Sequence, residues 1–508
     1  MSEPKQFSKP HQPRAQWKSR MGFILAALGS AVGLGNIWRF SYLCYDNGGG
    51  AFLVPYFIAL LVVGLPVMIL ELALGHRMRG SAPMSFAKVN PNWEWLGWWA
   101  VNCAMYGIML YYSAVIAWCL SYVFFSLHLS WGADPNAFFF QQYLQISSGP
   151  MEFGDLRSPV ILALFGVWVI AWGVVYYGVQ KGVERANKIF MPMLFVLVAV
   201  LVFWSVNLKG AAEGIAVYLT PDWSALKKPS IWVDAFTQIF FTLSLAFGIM
   251  ITYASYIPRK VDLLQDAVIV CLGNSLFSFF AGFAVFGTLG YMAVTTHQPV
   301  QDVVKQSIGL AFVAYPQAIS LMPAFAQVFG VLFFTALVVA GLSSAVSLIE
   351  AFSSAVIDKF HYPREVVVSA VCVTGFVGSM IFTAKSGLFW LDIVDYFITH
   401  YGLAVVVLLE CFVVGWLYKA SRLRKHIDQA GDVRTPVLWD IAVRYVAPVV
   451  LVILLGNDLG KLLTKGYGGY PAGSLVLIGV GWLLGALIAA FLIAQKPWLR
   501  DIHAEDGH

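Results

Sequence analysis

Charged side chains are scarce in this chain. Of its 508 residues, 12% are Asp, Glu, Lys or Arg and 59% are hydrophobic, whereas about a quarter of the residues of a soluble globular domain are charged. The mean hydropathy of +0.74 is correspondingly high. The composition therefore excludes an ordinary soluble protein and predicts an all-α integral membrane protein.

Cysteine is also rare. The six cysteines fall in or at the ends of apolar segments, so no disulfide framework is expected in the external loops. No N-x-[ST] glycosylation sequon occurs in those loops. No small-residue cleavage site follows the first apolar segment, and we do not expect it to be a signal peptide. These absences favour a multi-pass protein of the cell membrane, specifically a bacterial inner membrane.

Twelve apolar segments are long enough to cross a bilayer as helices, which takes about 20 residues each. Most Lys and Arg residues lie in the loops on the side of the N-terminus, which predicts that both termini are cytoplasmic. The net charge of +5 then reflects topology, and no nucleic-acid partner is expected. We predict cytoplasmic tails over 1–20 and 496–508 and a membrane domain over 21–495. Its spans lie near 21–44, 50–76, 97–128, 158–178, 187–207, 232–257, 264–293, 327–357, 365–384, 388–418, 437–460 and 472–495.

The first span contains the stretch AVGLGNIWRF at 31–40, which holds two glycines, an asparagine and an arginine. Together with Gly29, the glycines at 33 and 35 make this helix easy to unwind. Irregular backbone at membrane depth is tolerated only where it is buried in protein or lines a cavity. Unwinding frees carbonyl oxygens for a cation and exposes helix ends whose dipoles favour ions. A glycine-packed helix crossing is the alternative.

The sixth span, TQIFFTLSLAFGIMITYASY at 237–256, is interrupted by polar residues and Gly248. Interrupted helices at corresponding positions in two halves of a chain indicate a transporter binding site. Two further spans supply polar groups: Asn274 and Ser278 stand one turn apart in the seventh, and Ser343 and Ser344 are adjacent in the eighth. Such hydroxyls can alternatively bond to their own helix backbone.

Five pieces of sequence, in order along nearly the whole chain, resemble the neurotransmitter:sodium symporter family: GSAVGLGNIWRF, NGGGAFLVPY, QIFFTLSLAFG, ITYASY and AGLSSAVSLIE. The resemblance implies five helices followed by an inverted repeat of five, with unwound first and sixth helices, plus two further helices. It also implies Na⁺-driven symport of a small-to-medium apolar amino acid by alternating access, with two Na⁺ and with Cl⁻. A homodimer or a monomer would fit equally well.

The resemblance assigns ligands to three ion sites. The first sodium site would use Ala31, Asn36, Thr242 and Asn274, completed by the substrate carboxylate. The second would use Gly29, Val32, Ala340, Ser343 and Ser344. A chloride site would use Tyr56, Gln238, Thr242, Asn274 and Ser278, because Ser278 stands where many bacterial relatives have an acid that balances the sodium charge. Back-bonding of Ser278 to its own helix, with Glu71 or another acid balancing the charge, is the alternative.

The same resemblance assigns a substrate site. Gly33, Leu34, Gly35 and the hydroxyl of Tyr112 would meet the substrate main chain. Amine transporters of the family have an Asp at the position of Gly33, so the substrate here should bring its own carboxylate. The pocket for the substrate side chain would be formed by Ile108, Phe241, Ser244, Phe247, Ser344 and Leu348, for which ordinary helix packing is the alternative.

Charged residues near the two ends of this site would form gates. The outer gate would pair Arg39 with Asp395. The inner gate would use Arg14 and Trp17 from the N-terminal tail, with Tyr256 and Asp358. For Arg14 the alternative is a positive-inside residue without a partner. Glu71 is expected to accept hydrogen bonds from the unwound backbone.

Three positions depart from the family pattern. Ser41 replaces a proline, Ala246 replaces a glycine, and His400 stands where a small residue or threonine is usual. His400 is either a packed or hydrated side chain or a pH-sensitive group in the outer vestibule.

Other functions remain open at this stage. They are a substrate sensor that has lost transport, a symporter of another carboxylate or amine, and a membrane enzyme. No metal cluster, nucleophile–base pair or phosphate-binding loop supports an enzyme.

Overall fold

The computed structural model describes residues 15–298, 307–322, 324–499 and 501–502. Regular structure in these ranges is helical, apart from two isolated β-bridges. The main helices are α1 (Arg20–Ala31), α2 (Leu34–Asp46), α3 (Gly50–Met78), α4 (Ala82–Val89), α5 (Pro91–Ser126), α6 (Ser158–Tyr176), α7 (Val179–Val206), α8 (Ala211–Leu219), α9 (Pro229–Thr242), α10 (Ile249–Ala254), α11 (Leu263–Thr296), α12 (Leu310–Ser320), α13 (Ala326–Phe360), α14 (Arg364–Thr383), α15 (Gly387–Ala430), α16 (Leu438–Lys465) and α17 (Ala472–Ala494).

Within the described residues, ten helices are long and apolar enough to cross a membrane. Helices α1 and α2 meet at a bend of 70° and raise the number to eleven when counted as one broken span. Helices α9 and α10, with 14 and 6 residues, are each too short to cross alone. The predicted total of twelve is therefore reached only if α9 and α10 form a second broken span, which stays a prediction.

Three helices lie in segments that the sequence analysis treated as loops: α4, α8 and α12. A search for apolar runs of about 20 residues passes over such short elements. Helix α15 also continues past the predicted end at 418, because Leu423 and Ile427 form one buried edge of an otherwise polar segment.

Helix α13 is the most enclosed of the long helices. The share of residues buried inside the protein in its most apolar stretch is 89%, against 22% for α17 and 28% for α7. It packs against α1, α5 and α7, and α1 also packs against α11. The broken helices thus lie beside the enclosed helix, whereas α7 and α17 present apolar surface to the outside.

Candidate substrate and ion site at the two helix breaks

The first break separates α1 from α2 at Val32 and Gly33, which are both extended. The N–H of Gly33 donates to Oδ1 of Asn36 at 2.8 Å, which caps the start of α2. A Cβ atom on Gly33 would lie 2.9 Å from the hydroxyl oxygen of Tyr112 and 3.1 Å from that of Ser344. A side chain at this position would therefore require the hydroxyl groups of Tyr112 and Ser344 to shift.

The second break runs from Leu243 to Gly248, between α9 and α10. Ser244, Ala246 and Gly248 have φ angles of 52°, 68° and 68°, a left-handed conformation that only glycine adopts without strain. Oε1 of Glu71 accepts the N–H of Ala246 at 2.7 Å, as expected from the sequence. The hydroxyl of Ser244 donates to the carbonyl of Ser30 at 2.9 Å. This last bond ties the two breaks together.

A cavity lies between the two breaks, α5 and α13. Its wall combines residues of the two breaks with apolar side chains. All ten residues predicted to contact substrate line it: Gly33, Leu34, Gly35, Ile108, Tyr112, Phe241, Ser244, Phe247, Ser344 and Leu348, together with Ser30, Ala31, Asn36, Thr242 and Ile249. None of these lining residues carries a charge. The N–H of Leu34 donates to the Tyr112 hydroxyl at 3.3 Å.

Four polar side chains meet beside the cavity. Nδ2 of Asn36 lies 2.7 Å from Oδ1 of Asn274, 2.8 Å from Oγ of Ser278 and 3.1 Å from Oγ1 of Thr242. Three of these residues are the predicted side-chain ligands of the first sodium site. Oδ1 of Asn36 faces Gly33, and Nδ2 faces the other three side chains. To bind a cation among them, the Asn36 amide would have to rotate so that Oδ1 takes the place of Nδ2.

The predicted second sodium site gathers backbone carbonyls around Ser344. Its hydroxyl oxygen lies 3.2–3.4 Å from the carbonyl oxygens of Gly29, Ser30, Val32 and Ala340. A hydroxyl donates one hydrogen bond, so the cluster has more acceptors than donors and suits a hard cation. Oγ of Ser343 bonds to the Ala340 carbonyl at 2.8 Å. The carbonyl of Ser30 was not among the predicted ligands.

The predicted chloride ligands lie on α3, α9 and α11. Ser278 accepts from Asn36 and also bonds back to the Asn274 carbonyl at 3.2 Å. The Tyr56 hydroxyl donates to the hydroxyl of Ser275 at 3.1 Å. Ser275 was not among the predicted ligands. Gln238 is fully buried, and neither atom of its amide has a hydrogen-bond partner in the described part of the chain. An unpaired buried amide is costly, and its N–H₂ group could donate to an anion.

The predicted outer-gate residues are not joined to each other. The Arg39 guanidinium lies over the Phe241 ring, 4.7 Å from its centroid. Oδ1 of Asp395 instead accepts a hydrogen bond from the hydroxyl of Tyr111, a residue that sequence reasoning missed. No ion pair within 4.0 Å connects Arg39 and Asp395 in the described structure.

Two of the predicted inner-gate residues, Trp17 and Tyr256, are hydrogen-bonded to each other. Trp17 is buried, and its ring and backbone N–H groups donate to the carbonyls of Tyr253 and Tyr256 at 2.8 and 3.0 Å. The Tyr256 hydroxyl bonds to Glu350 at 3.0 Å and to Ser354 at 2.9 Å. Glu350 also forms an ion pair with Arg364, which completes this network, and it was not among the predicted gate residues.

Two further inner-gate predictions have different outcomes. Oδ2 of Asp358 accepts the N–H of Ser81 at 2.8 Å and so holds the start of α4. Arg14 lies outside the described residues.

His400 has a partner that the sequence could not indicate. Its Nδ1 lies 2.8 Å from Oδ2 of Asp458 on α16, and its ring packs against Tyr396 with the centroids 4.6 Å apart. The pair joins α15 to α16 behind Phe241.

In the described residues, no group of three or more His, Cys, Asp or Glu side chains is arranged to hold a metal ion. The oxygen clusters at the breaks are neutral and so suit a monovalent cation better than a divalent one.

Comparison with known proteins identifies the family. The model of the sodium:neurotransmitter symporter family matches residues 14–137 and 132–499. An "uncharacterized sodium-dependent transporter" of Methanocaldococcus jannaschii is 47% identical over 96% of this chain and 99% of its own length. Proteins named sodium- and chloride-dependent GABA transporter 2 from Bos taurus and Homo sapiens are 34% and 33% identical, over 82% of this chain and 75% of theirs. The chain is thus a multi-pass membrane protein of the sodium:neurotransmitter symporter family, a family of sodium-dependent transporters and not of enzymes.

Proposed function

We propose that this sodium-coupled transporter carries a small-to-medium apolar amino acid into the cell, and that the substrate binds in the cavity between the two helix breaks. The observation that carries the proposal is the make-up of that cavity: residues of the two unwound breaks, apolar side chains and no charged lining residue. A zwitterion needs no counter-charge from the protein. An amine without a carboxylate would leave an unbalanced positive charge in this wall.

The helix ends supply the polar contacts for such a zwitterion. Helix α2 begins at Leu34, and the helix dipole at this end favours the substrate carboxylate. The carbonyl ends of α1 and α9 favour the ammonium group. Tyr112 holds the N–H of Leu34 and fixes the orientation of this end of α2.

The apolar residues that line the cavity limit the substrate side chain. Ile108, Phe241, Phe247 and Leu348 line it. A Cβ atom on Gly35 would lie 2.9 Å from Cε1 of Phe241, so the ring is packed directly against the break. This closeness supports a side chain of small to medium size.

Two sodium ions would bind at the two oxygen clusters, one around Asn36, Thr242 and Asn274 and one around Ser344. Each ion gains about 2.3 kcal/mol in crossing 100 mV, and a tenfold gradient adds about 1.4 kcal/mol. Two ions then supply roughly 7 kcal/mol, which is enough for about a 10⁵-fold accumulation of substrate. A single ion would support only the square root of that ratio.

Chloride would bind beside the first sodium, held by Gln238, Ser278 and Tyr56. The unpaired amide of Gln238 supports this site, and the GABA transporters among the relatives are named as chloride-dependent. At around 5 Å and an effective dielectric constant near 20, an anion stabilises the neighbouring Na⁺ by about 3 kcal/mol. That difference decides whether the sodium site fills.

A second substrate candidate is an amino acid whose amine and carboxylate are farther apart, because three of the similar proteins are named for GABA. The uncharged wall of the cavity accepts either kind of zwitterion. The branched or aromatic side chain of an apolar amino acid would contact the four apolar lining residues more fully than the methylene chain of a GABA-like amino acid. The apolar amino acid is therefore the preferred substrate candidate.

Uptake into proteoliposomes tests the proposal. An inward Na⁺ gradient should drive accumulation of a labelled apolar amino acid, and an equal K⁺ gradient should not. In a competition panel, the parent amino acid should block uptake and its decarboxylated amine should not. Substrate binding without accumulation would indicate a sensor, and competition by the amine as strong as by the amino acid would refute the proposed substrate class.

A further inference from the structure

Asn187 of α7 has an amide oxygen without a hydrogen-bond partner in the described part of the chain. The side chain is fully buried. Its Nδ2 donates to the carbonyl of Val183, one turn earlier in the helix, at 3.0 Å. Because only the N–H₂ group can donate to a carbonyl, this bond fixes which amide atom is the oxygen. A buried acceptor without a partner is costly, so Oδ1 suits a ligand that the polypeptide does not supply.

Oδ1 of Asn187 lies against Gly29, at the packing contact between α7 and α1. A Cβ atom on Gly29 would lie only 2.1 Å from this oxygen. The carbonyl oxygen of Gly29 is one of the four around the Ser344 hydroxyl, 3.3 Å from it. The unpaired oxygen therefore touches a residue that supplies a carbonyl to the proposed second sodium site.

Asn187 approaches Gly29 from the side of the predicted cytoplasmic surface. The Cα–Cβ direction in a helix tilts toward the N-terminus of the helix, whereas the carbonyls point toward its C-terminus. Helix α1 begins at Arg20, next to the predicted cytoplasmic tail, and ends at the first break. The Gly29 carbonyl thus points toward the break, whereas Oδ1 of Asn187 lies nearer the start of α1.

A second contact of the same kind lies farther toward the start of α1. A Cβ atom on Gly22 would lie 2.2 Å from Oε1 of Glu184, three residues before Asn187 in α7. The Glu184 carboxylate is already bound by the N–H of Lys18 and by Nζ of Lys188, at 2.7 and 2.6 Å. Asn187, in contrast, keeps its oxygen unpaired in the described structure.

We propose that, given the sodium coupling proposed above, Asn187 is a further sodium ligand, which binds the ion in passage between the second sodium site and the cytoplasm. An ion that leaves the carbonyl cluster in a water-poor interior loses ligands before water replaces them. The amide oxygen of Asn187 takes the place of a lost ligand. Because it is a neutral oxygen, it binds a monovalent cation without trapping it.

An ion ligand and a packing contact predict different effects of removing this oxygen. The other role open to Oδ1 is a weak Cα–H···O bond to Gly29 that only packs α1 on α7. Loss of packing would let sodium leave at the same rate or faster. Loss of a ligand on the path raises the barrier in both directions, so sodium leaves and enters more slowly while its equilibrium affinity stays the same.

Release of radiolabelled Na⁺ from the purified full-length protein in detergent measures this difference without any transported substrate. The loaded protein is diluted into sodium-free choline buffer. Asn187→Leu has nearly the same size and lacks the oxygen, so release should slow about tenfold or more, the loss expected for one interaction with a charged group. The dissociation constant from equilibrium binding of labelled Na⁺ should stay unchanged, which also shows that the variant is folded.

Two further variants complete the test. Asn187→Ala removes the same oxygen with a smaller side chain and should slow release in the same way. Asn102 of α5 is also buried and donates to the carbonyl of Ala486 on α17 at 3.2 Å. Asn102→Leu is therefore the matched control and should release sodium at the wild-type rate.

Unchanged or faster release from both Asn187 variants would overturn the proposal. Slower release would also overturn it if equilibrium binding became tighter in proportion, or if Asn102→Leu slowed release equally. A wild-type protein that binds no sodium would refute the proposed sodium coupling, and the role of Asn187 with it. The two failures are distinguishable, because only the second abolishes sodium binding to the wild type.

Discussion

At the scale of single residues, Ala246 has a backbone conformation that is unfavourable for a residue with a Cβ atom. Its φ of 68° is left-handed, which costs a residue with a Cβ atom about 1–2 kcal/mol relative to glycine. The resemblance to the family pattern places a glycine at this position. The N–H bond to Glu71 at 2.7 Å holds the strained conformation in place.

Ala246→Gly should therefore raise the free energy of unfolding by about 1 kcal/mol, since the substitution relieves strain without removing the hydrogen bond. Thermal unfolding in detergent would measure it. Ala163→Gly in the middle of α6 is the matched control and should lower stability by about 1 kcal/mol. A loss of stability in both variants would show that Ala246 is not strained.

Gly33 offers a second test at this scale. Gly33→Asp and Gly33→Asn add side chains of the same size, but only Asp adds a charge near the expected position of the substrate carboxylate. At about 5 Å and an effective dielectric constant near 20, the repulsion is about 3 kcal/mol. Amino-acid binding should be roughly 100-fold weaker in the Asp variant than in the Asn variant. Equal affinities would place the carboxylate elsewhere.

The residues that could be predicted from the sequence are those with a local signal. Gly33, Gly35 and Gly248 interrupt apolar runs, and the motifs around them indicated which neighbours face the cavity. Their assigned binding roles stay predictions. Partners that are distant in the chain gave no signal, such as Tyr111 for Asp395 and Asp458 for His400. Each of these pairs is brought together only by the packing of separate helices.

At the scale of elements, three helices converge on the proposed chloride site. Helix α3 brings Tyr56, α9 brings Gln238, and α11 brings Ser278, one turn after Asn274. The short helices α4, α8 and α12 were not foreseen, because hydropathy detects only segments as long as the membrane is thick. The breaks were foreseen, but not the left-handed Ser244, because serine rarely adopts that conformation.

Ser278→Glu should make Na⁺-dependent substrate binding independent of chloride, because the carboxylate replaces the anion that balances the sodium charge. Wild-type binding should fall about tenfold or more when gluconate replaces chloride. Ser278→Gln has the same size without the charge and should keep the chloride requirement. If substrate binding to the wild type does not depend on chloride, the proposed chloride site is wrong.

At the scale of the whole molecule, the residues of the two predicted gates are bonded differently. Trp17 of the predicted inner gate bonds to Tyr253 and Tyr256, whereas Arg39 and Asp395 of the predicted outer gate have no direct bond to each other. This difference is the one expected for one state of an alternating-access cycle. The remaining state should be reached when the inner contacts break.

Trp17→Ala should shift the population toward a state that is open to the cytoplasm, because it removes a hydrogen bond of about 1 kcal/mol and several ring contacts. Ser347 bonds to Tyr253 behind this gate, so a Ser347→Cys variant reports its opening through thiol labelling. All six native cysteines are buried, which keeps the background low. Labelling should accelerate roughly tenfold with Trp17→Ala and remain unchanged with the exposed control Trp223→Ala. No acceleration would mean that Trp17 does not close the path.

The equilibrium accumulation of substrate tests the central claim, coupling to two sodium ions, most directly. In proteoliposomes held at zero membrane potential with equal chloride on both sides, the substrate ratio is measured as a function of the Na⁺ ratio. The account predicts a slope of about two on logarithmic axes, so a tenfold Na⁺ gradient should accumulate substrate about 100-fold. A slope of one would contradict the two-ion site, and a substrate ratio that ignores the Na⁺ gradient would contradict sodium coupling altogether.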